Sequence, residues 1–325
     1  MNEPAGEELR ALGTRGWLRA ALRLVLGLGL VAAVWFLREA GGTPRLRAGA
    51  VGMGVGVLGS ALANAVTARR WQLLSEAMTD SRLGYGVYFH HLAYTRVLGQ
   101  FLPSLLVDLL GRSASLRAAG SRESVGRLLA PLVLERVLDL VLPAVLLGWA
   151  LAWHGGALAG AWAWPSLALL VAVFAVLATV LLRPLVALAL RVRAWLRRET
   201  TAPAVPEVGG ALARSITLLS LSRYATVMLQ YWGAGAGLGV ALAPLVLLAA
   251  APLAQLAGLL GVTPGALGLQ EGGWAGALAL LGTDPGDIVV FLLAARGAMI
   301  VNFALLSALS WRWHRARAAP AQPRG

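Results

Sequence analysis

The stretch "GVTPGALGLQEGGWAGALALLG", residues 261–282, places a Pro-Gly break and one carboxylate inside a long apolar region. Glu271 is the only charged residue in positions 224–283. A carboxylate near the centre of a bilayer costs at least roughly 2.5–3.5 kcal/mol, so it is retained beside a partner or a wet cavity. A proline followed by a glycine also interrupts a helix. The stretch therefore predicts a helix broken at Pro264-Gly265, with Glu271 beside a polar cavity.

The whole chain has the composition of a multi-span membrane protein. It has 325 residues, a mean hydropathy of +0.72 and 13% charged residues, against about 25% in soluble domains. Apolar blocks of roughly the 20 residues that a spanning helix needs recur along the chain, at 17–37, 48–68, 131–153, 165–182, 211–232, 240–260 and 288–310. We therefore expect an all-α polytopic membrane protein. The absence of cysteine excludes disulfides and thiol catalysis.

Arginine placement predicts the orientation. The net charge of +13 comes from arginines in short segments beside apolar blocks, which favours membrane orientation over nucleic-acid binding. Segment 183–198 is arginine-rich and 154–164 has none, so we place the former inside and the latter outside. The predicted order is a cytoplasmic segment 1–16, a first membrane repeat 17–153, an external loop 154–164, a second repeat 165–310 and a cytoplasmic tail 311–325. We expect a bacterial-type inner membrane with both termini cytoplasmic.

Two segments are predicted to enter the membrane and return. If 69–82 and 112–127 are both inside, the chain between them turns back near Pro103. The same reasoning applies to 240–283, with its bend at Pro264-Gly265 and a further break residue at Gly268. These assignments give about six spanning helices plus two re-entrant helical hairpins. Each half crosses an odd number of times, which predicts an inverted repeat of the kind found in transporters.

Each predicted bend is followed by an acidic residue and, in the next helix, by an arginine. Arg136 lies 33 residues after Pro103, and Arg296 lies 32 residues after Pro264. We expect Glu271 to pair with Arg296 and to contribute to a substrate site. The alternative is a buried ion pair that only fixes helix register.

The first half carries further candidates for an anion site. In "FLPSLLVDLLGRSASLR", Asp108 and Arg112 are one helical turn apart and able to pair. An arginine binds phosphate through two parallel hydrogen bonds, which suits a lipid headgroup; the alternative is that Arg112 and Arg117 are cytoplasmic loop charges. In "PLVLERVLDLVLP", Arg136 shares a face with two carboxylates, either as a cavity residue or as an interfacial anchor.

Other patterns predict packing rather than chemistry. The glycines of "GVGVLG", 54–59, and the pair Gly272 and Gly276 are interpreted as close helix contacts. His90-His91 lack further ligands at metal spacing. We find no nucleophile and base pair, phosphate loop or metal-carboxylate set, so we expect no cofactor, no metal and no self-contained enzyme.

These motifs carry a resemblance. "PGALGLQE", 264–271, is similar without a gap to the final motif of the membrane domain of lysylphosphatidylglycerol synthases, a flippase-like family, and "LPSLLVDLLGR" is similar to a segment in its first half. "ERVLDL" and Arg296 also fit, and the resemblance extends over roughly residues 20–310. The chain departs from the family at Leu106-Val107, where a glycine pair is usual, and at Gln270, where arginine is common. Asp108 is also one position nearer the proline.

The resemblance implies a lipid-handling membrane protein. We expect it to bind or translocate a membrane lipid with an anionic or modified headgroup through a polar cavity, with Asp108, Arg112, Arg136, Glu271 and Arg296 as substrate-binding residues. The alternative is a non-transporting membrane subunit that presents lipid to a separate glycosyl- or aminoacyl-transferase. The soluble aminoacyl-transferring domain of the two-part synthases is not expected. The expected partners are membrane lipids and a lipid-modifying transferase, with no nucleic acid.

Overall fold

A computed structural model describes residues 49–158, 160–196, 208–259 and 265–318. Within these ranges the chain is helical and contains no strand, which confirms the all-α class. The predicted N-terminal segment, the first apolar block 17–37, Pro264 and the last residues of the tail lie outside the described residues.

The first half contains two long helices with a helical hairpin between them. Helix α1 is Ala50–Met78 and α2 is Tyr85–Phe101. Helix α3 consists of a helical turn Ser104–Leu106, a π-helical segment Val107–Gly111 and an α-helical segment Arg112–Ala118. Helix α4 is Val125–His154. The chain reverses at Leu102-Pro103, where Leu102 is extended, as expected before a proline. A Cβ on Gly111 would lie 3.5 Å from the side chain of Thr95, so α2 and α3 pack antiparallel.

In the second half the order of long helix, hairpin and long helix recurs after one additional long helix. After a 3-10 turn Gly160–Trp162 come α5 Ala163–Leu196, α6 Gly210–Gly237, α7 Pro244–Leu259, α8 Leu269–Leu280 and α9 Pro285–Ala318. Helices α7 and α8 pack antiparallel, since Gly258 faces Gln270 and Gly273 faces Ala254. The turn between them carries three residues with positive φ, which are Gly265 (+56°), Ala266 (+54°) and Gly268 (+82°).

Each hairpin packs on the last helix of the other half. Helix α2 contacts α9, and α7 contacts α4, while the two long helices α1 and α6 share the most extensive interface. Glycines permit this close approach of α1 and α6. A Cβ on Gly59 would lie 2.5 Å from the backbone nitrogen of Gln230, so no larger residue fits without a backbone shift.

The glycine predictions have mixed outcomes. Gly56 and Gly59 of the "GVGVLG" stretch do lie against the backbone of α6, whereas Gly54 has no neighbour there. The prediction for Gly272 and Gly276 was wrong, because both are exposed and a Cβ on either would meet no atom within 4 Å. The contact to α7 is made by Gly273 instead, which lies on the inner face of α8.

Three described helices are long and apolar enough to cross a membrane, judged by length and composition: Ala50–Met78, Gly160–Arg191 and Pro285–Trp311. Helix α5 presents an exposed apolar stripe, Leu169, Val173, Val176 and Val180. Helices α4 and α6 have comparable length, 30 and 28 residues, but carry charged residues of the site. The 240–260 block forms the 16-residue helix α7, about 24 Å long and therefore shorter than the roughly 30 Å hydrocarbon layer.

Candidate functional site

A polar cavity of about 200 Å³ lies where the two hairpins meet helices α4, α6 and α9. Both hairpins contribute to it, Arg96 and Gln100 from α2, and Gln255 and Gln270 from α7 and α8. Its remaining polar side chains are Ser104, Arg136, Asp139, Arg223, Gln230 and Tyr231. The lining thus combines three guanidinium groups and one carboxylate with neutral amides and hydroxyls.

The turns of the two hairpins touch each other at the edge of this cavity. The Gly265 N–H donates to the carbonyl of Gly99 over 2.6 Å. Arg296 of α9 donates to the Gly265 carbonyl at 2.9 Å and to Gln100 Oε1 at 3.3 Å. Arg296 therefore joins both turns, and a side chain at position 265 would approach Gln100 Oε1 to about 3.0 Å.

Glu271 has two partners, which explains its place in an otherwise uncharged region. Its carboxylate lies 2.8 Å from the Arg296 guanidinium, so the predicted pair is confirmed. It also accepts a hydrogen bond of 2.8 Å from the Gly268 N–H and caps the N-terminus of α8, where a negative charge is favoured by the helix dipole. The carboxylate thus connects the α7–α8 turn to α9.

A chain of ion pairs links the first hairpin to α4. Asp108, within the π-helical segment, pairs with Arg136 and lies 3.8 Å from Arg112. Arg112 binds Glu135 through both terminal nitrogens, at 2.9 and 3.3 Å, and its guanidinium lies 4.1 Å from the Trp71 ring. Arg112 is only 3% exposed and does not line the cavity.

The chain of ion pairs continues to α1 and α6. Arg70 is held between Asp139 at 2.7 Å and Glu135 at 3.2 Å, and it donates to Ser220 at 3.1 Å. Arg223 of α6 lies 3.3 Å from the same Asp139. Four helices that are distant in sequence are thus joined by one buried network of charges.

Positive charge exceeds negative charge around the cavity. Among the described residues the network holds four arginines and three carboxylates, and Arg96, which lines the cavity outside the network, raises the excess to two positive charges; the network members are Arg70, Arg112, Arg136, Arg223, Asp108, Glu135 and Asp139. Arg96 has no carboxylate partner in the described part of the chain. It binds Asn64 at 2.7 Å and Thr67 at 3.4 Å and lies over the Phe303 ring. A ligand with one or two negative charges would balance this excess.

The predicted site residues form two groups, those that line the cavity and those that hold the lining helices in place. Arg136 and Gly265 line the cavity, whereas Asp108, Arg112, Glu271 and Arg296 lie behind its wall and hold the lining helices. Of the predicted break residues, Pro103 and Gly268 lie at the hairpin turns.

Sequence reasoning missed Arg96, Arg223 and Arg70. Arg223 carried a usable signal, since it lies within the predicted span 211–232, where an isolated arginine needs a partner. Arg70 gave no such signal, because it follows Arg69 at the end of an apolar block and looks like an ordinary orientation charge. Gln270 was noted as a departure from the family pattern, and it lines the cavity and donates to the Tyr231 hydroxyl at 2.5 Å.

The chain was compared with models of protein families. The model of the family described as "Lysylphosphatidylglycerol synthase TM region" matches residues 20–307, nearly the whole chain. Comparison with curated proteins and with solved structures gives no significant match.

Proposed function

The chain belongs to the lysylphosphatidylglycerol synthase transmembrane-region family, a membrane domain associated with lipid modification or translocation, and we propose that it translocates a membrane lipid. The lipid's anionic or modified headgroup occupies the polar cavity, and its tails stay in the bilayer. The protein acts as a flippase-like transporter rather than as an enzyme.

One observation carries this proposal: the arginines around the cavity outnumber the carboxylates by two. Arg96 and Arg223 present guanidinium groups to the cavity, and a phosphate accepts parallel hydrogen bonds from such groups. The neutral amides of Gln230, Gln255 and Gln270 suit the hydroxyl or ester groups of a headgroup. The cavity therefore offers guanidinium groups together with neutral hydrogen-bond partners.

The architecture supports a transport function. We propose that both hairpins are re-entrant and that the halves form an inverted repeat, with about six spanning helices and with both termini on the cytoplasmic side of a bacterial-type inner membrane. The reciprocal packing of α2 on α9 and α7 on α4 is what a two-fold relation between the halves would produce. Hairpin turns that meet at a shared cavity are the arrangement in which broken helices are tolerated in membranes.

A second candidate function has its own support. The matched family is described as a region of a synthase, so the domain would hold a lipid for a separate aminoacyl- or glycosyl-transferase without moving it across the membrane. Both functions need the same headgroup site. They differ in whether lipid exchanges between leaflets.

The test is lipid exchange in reconstituted vesicles. Purified protein is placed in vesicles that contain fluorescent phosphatidylglycerol, and the fraction of label reached by an external quencher is followed over time. Three variants are compared with wild type: Arg96→Gln removes a cavity charge, Arg96→Lys retains it, and Arg117→Gln removes an exposed arginine outside the cavity.

We expect exchange to fall at least about tenfold in Arg96→Gln, since a hydrogen bond to a charged group contributes roughly 1.5–3 kcal/mol. Exchange should recover in part in Arg96→Lys and remain unchanged in Arg117→Gln. A wild-type protein that binds phosphatidylglycerol in native mass spectrometry but exchanges none would support the presenting subunit. Equal exchange in Arg96→Gln and wild type would overturn the headgroup assignment.

A further inference from the structure

A second cavity, almost entirely apolar, lies beside the polar one. It has a volume of about 490 Å³ and is formed by helices α4, α5, α6 and α7, a size within the roughly 300–1,000 Å³ of small-molecule sites. Apart from Tyr224 and Trp232, every lining side chain is apolar, and Leu247 and Met228 form part of its inner wall. The pocket reaches the outer surface of the helices, because Ala225, Trp232 and Pro244 at its edge are exposed.

The apolar pocket and the polar cavity are separated by a narrow gap. This gap has a volume of about 10 Å³, roughly the space of one water molecule, and five of its nine lining residues also line one of the two cavities. Asp139, Arg223 and Gln255 also line the polar cavity, whereas Leu142 and Tyr224 also line the apolar pocket. The two cavities therefore meet at the side chains of Tyr224 and Gln255.

Two neutral buried donors at this junction have no partner in the described part of the chain. They are the hydroxyl of Tyr224, a residue only 7% exposed, and the side-chain nitrogen of Gln255. The Nε atoms of Arg70 and Arg223, which also line the gap, are without a partner among the described residues as well. A buried donor without an acceptor is destabilising by roughly 1–3 kcal/mol, so its presence is explained when a ligand supplies the acceptor. Both donors lie between a charged wall and an apolar wall.

We infer that this path binds one phospholipid molecule along its length. From the polar cavity to the apolar pocket, the path is lined first by guanidinium groups, then by neutral hydrogen-bond donors and then by hydrocarbon side chains. These groups match, in the same order, the phosphate, the glycerol esters and the acyl chain of a phospholipid. The phosphate lies near Arg96 and Arg223, the ester carbonyls accept from Tyr224 and Gln255, and one acyl chain fills the apolar pocket. This inference rests on the proposed headgroup site and adds a lateral route by which the lipid enters between α4, α5, α6 and α7.

The small volume of the gap assigns a gating role to its two neutral donors without a partner among the described residues, Tyr224 and Gln255. A gap of this size does not admit a glycerol backbone, so Tyr224 and Gln255 must rotate apart when the lipid is bound. Rotation is accessible because Gln255 has a flexible side chain and neither donor has a partner to lose. The gate closes the polar cavity to hydrocarbon when no lipid is present.

Photochemical labelling tests the inference. The protein is placed in nanodiscs of phosphatidylglycerol that carries a photoreactive diazirine near the end of one acyl chain, and the labelled residues are mapped by mass spectrometry. Leu247 and Met228 are 3% and 6% exposed, so lipid that only surrounds the protein cannot reach them, unlike Val176 on the outer stripe of α5. We expect label on all three residues in the wild type.

Two tryptophan substitutions provide a matched pair. Ala225→Trp obstructs the mouth of the apolar pocket, whereas Ala172→Trp lies on the exposed side of α5, where it lines neither cavity. We expect Ala225→Trp to reduce the label on Leu247 and Met228 at least tenfold relative to that on Val176, and Ala172→Trp to leave the ratio unchanged. Thermal unfolding of both variants checks that each is folded. If Ala225→Trp unfolds, Val171→Trp at the pocket wall takes its place.

The outcomes separate this inference from the proposed function. Absence of label on Leu247 and Met228 in a protein that exchanges lipid would overturn the acyl site and leave the headgroup site standing. Label there that persists in Arg96→Gln would overturn a single bridging lipid, because the acyl chain would then bind without its headgroup. Loss of the label in both Ala225→Trp and Arg96→Gln would support the inference. Tyr224→Phe should lower phosphatidylglycerol retention several-fold, and unchanged retention would overturn the ester contact.

Discussion

The two helical hairpins share a plan but differ in how they are stabilised. In each, an acidic residue on the second arm pairs with an arginine of the following helix, Asp108 with Arg136 and Glu271 with Arg296. Around the first pair lies a buried network of charges that extends to α1 and α6, whereas no further ion pair involves Glu271 or Arg296 among the described residues. The two hairpins therefore share the placement of one ion pair and differ in what surrounds it.

The first hairpin is held by ion pairs, whereas the second depends on backbone geometry. The first turns at Leu102-Pro103 with ordinary negative φ angles. The second turns through Gly265, Ala266 and Gly268 with positive φ. The guanidinium groups of the cavity come from α2, α4 and α6, whereas the residues that α7 and α8 contribute are uncharged, with Gln255 and Gln270 as their amides.

Arg70→Met should have the largest effect on stability, because it breaks the charged network of the first half. It leaves Glu135 and Asp139, 3% and 4% exposed, without one of their cations. Removing one partner of a buried ion pair destabilises by roughly 3–5 kcal/mol. Chemical denaturation in detergent micelles measures this loss as a change in the free energy of unfolding.

Arg117→Met is the matched control for this prediction. Arg117 is exposed, so its removal should change the free energy of unfolding by no more than about 0.5 kcal/mol. Equal losses in the two variants would show that the network contributes no more than a surface charge does, and the contrast between the hairpins would then be wrong.

Arg296→Met should have the next largest effect, lowering the free energy of unfolding by about 2–3 kcal/mol, because hydrogen bonds to a charged group are lost. It removes the contacts to Glu271, to the Gly265 carbonyl and to Gln100. The loss should be smaller than in Arg70→Met, because Glu271 is 24% exposed and keeps its bond to the Gly268 N–H. Denaturation of Glu271→Gln serves as the comparison, since the amide oxygen retains the helix cap; a larger loss there than in Arg296→Met would contradict the joining role of Arg296.

Much of this comparison could be predicted from the sequence, and the reasons are physical. Glu271 in an uncharged region had to find a cation, and Arg296 was the arginine available in the last apolar block, so the pair followed from the cost of an unpaired charge. Pro103 predicted the break between α2 and α3; of the predicted break Pro264-Gly265, Gly265 lies in the turn before α8 and Pro264 is outside the described residues. The all-helical fold and the repeated order of elements followed from block lengths and arginine placement.

Other features of the site and of the helix packing could not be predicted from the sequence. An arginine at the end of an apolar block looks the same whether it faces water or turns inward, so Arg70 could not be distinguished from Arg69. Packing of Gly273 rather than Gly272 or Gly276 depends on the rotation of α8 about its axis, which no short motif fixes. The glutamine side chains that line the cavity were also not predicted as a group, because glutamines carry no charge that would distinguish them within an apolar helix.

Gly265→Ala tests the geometry of the second turn and should destabilise by about 1–2 kcal/mol, the cost of a left-handed conformation for a residue with a Cβ. The added methyl group would also lie about 3.0 Å from Gln100 Oε1 and 3.3 Å from Arg296. The comparison is Gly265→Ala in a Gln100→Ala background, which keeps the left-handed φ and removes the Oε1 atom in the way. Denaturation should show a smaller loss from Gly265→Ala in that background, and equal losses would mean that contact between the two turns contributes little.

Ala266→Gly should have the smallest effect, because three contributions nearly cancel. Glycine relieves the left-handed strain at φ +54°, worth about 1–2 kcal/mol. It also increases the entropy of the unfolded chain by about 0.4–1 kcal/mol and removes a buried methyl group worth about 0.8 kcal/mol. We expect a free energy of unfolding within about 0.5 kcal/mol of wild type by the same denaturation. A loss above 1 kcal/mol would show that the alanine methyl group, which lines the cavity, contributes more to packing than its strain costs, and the second turn would then be held by side-chain contacts, as the first hairpin is.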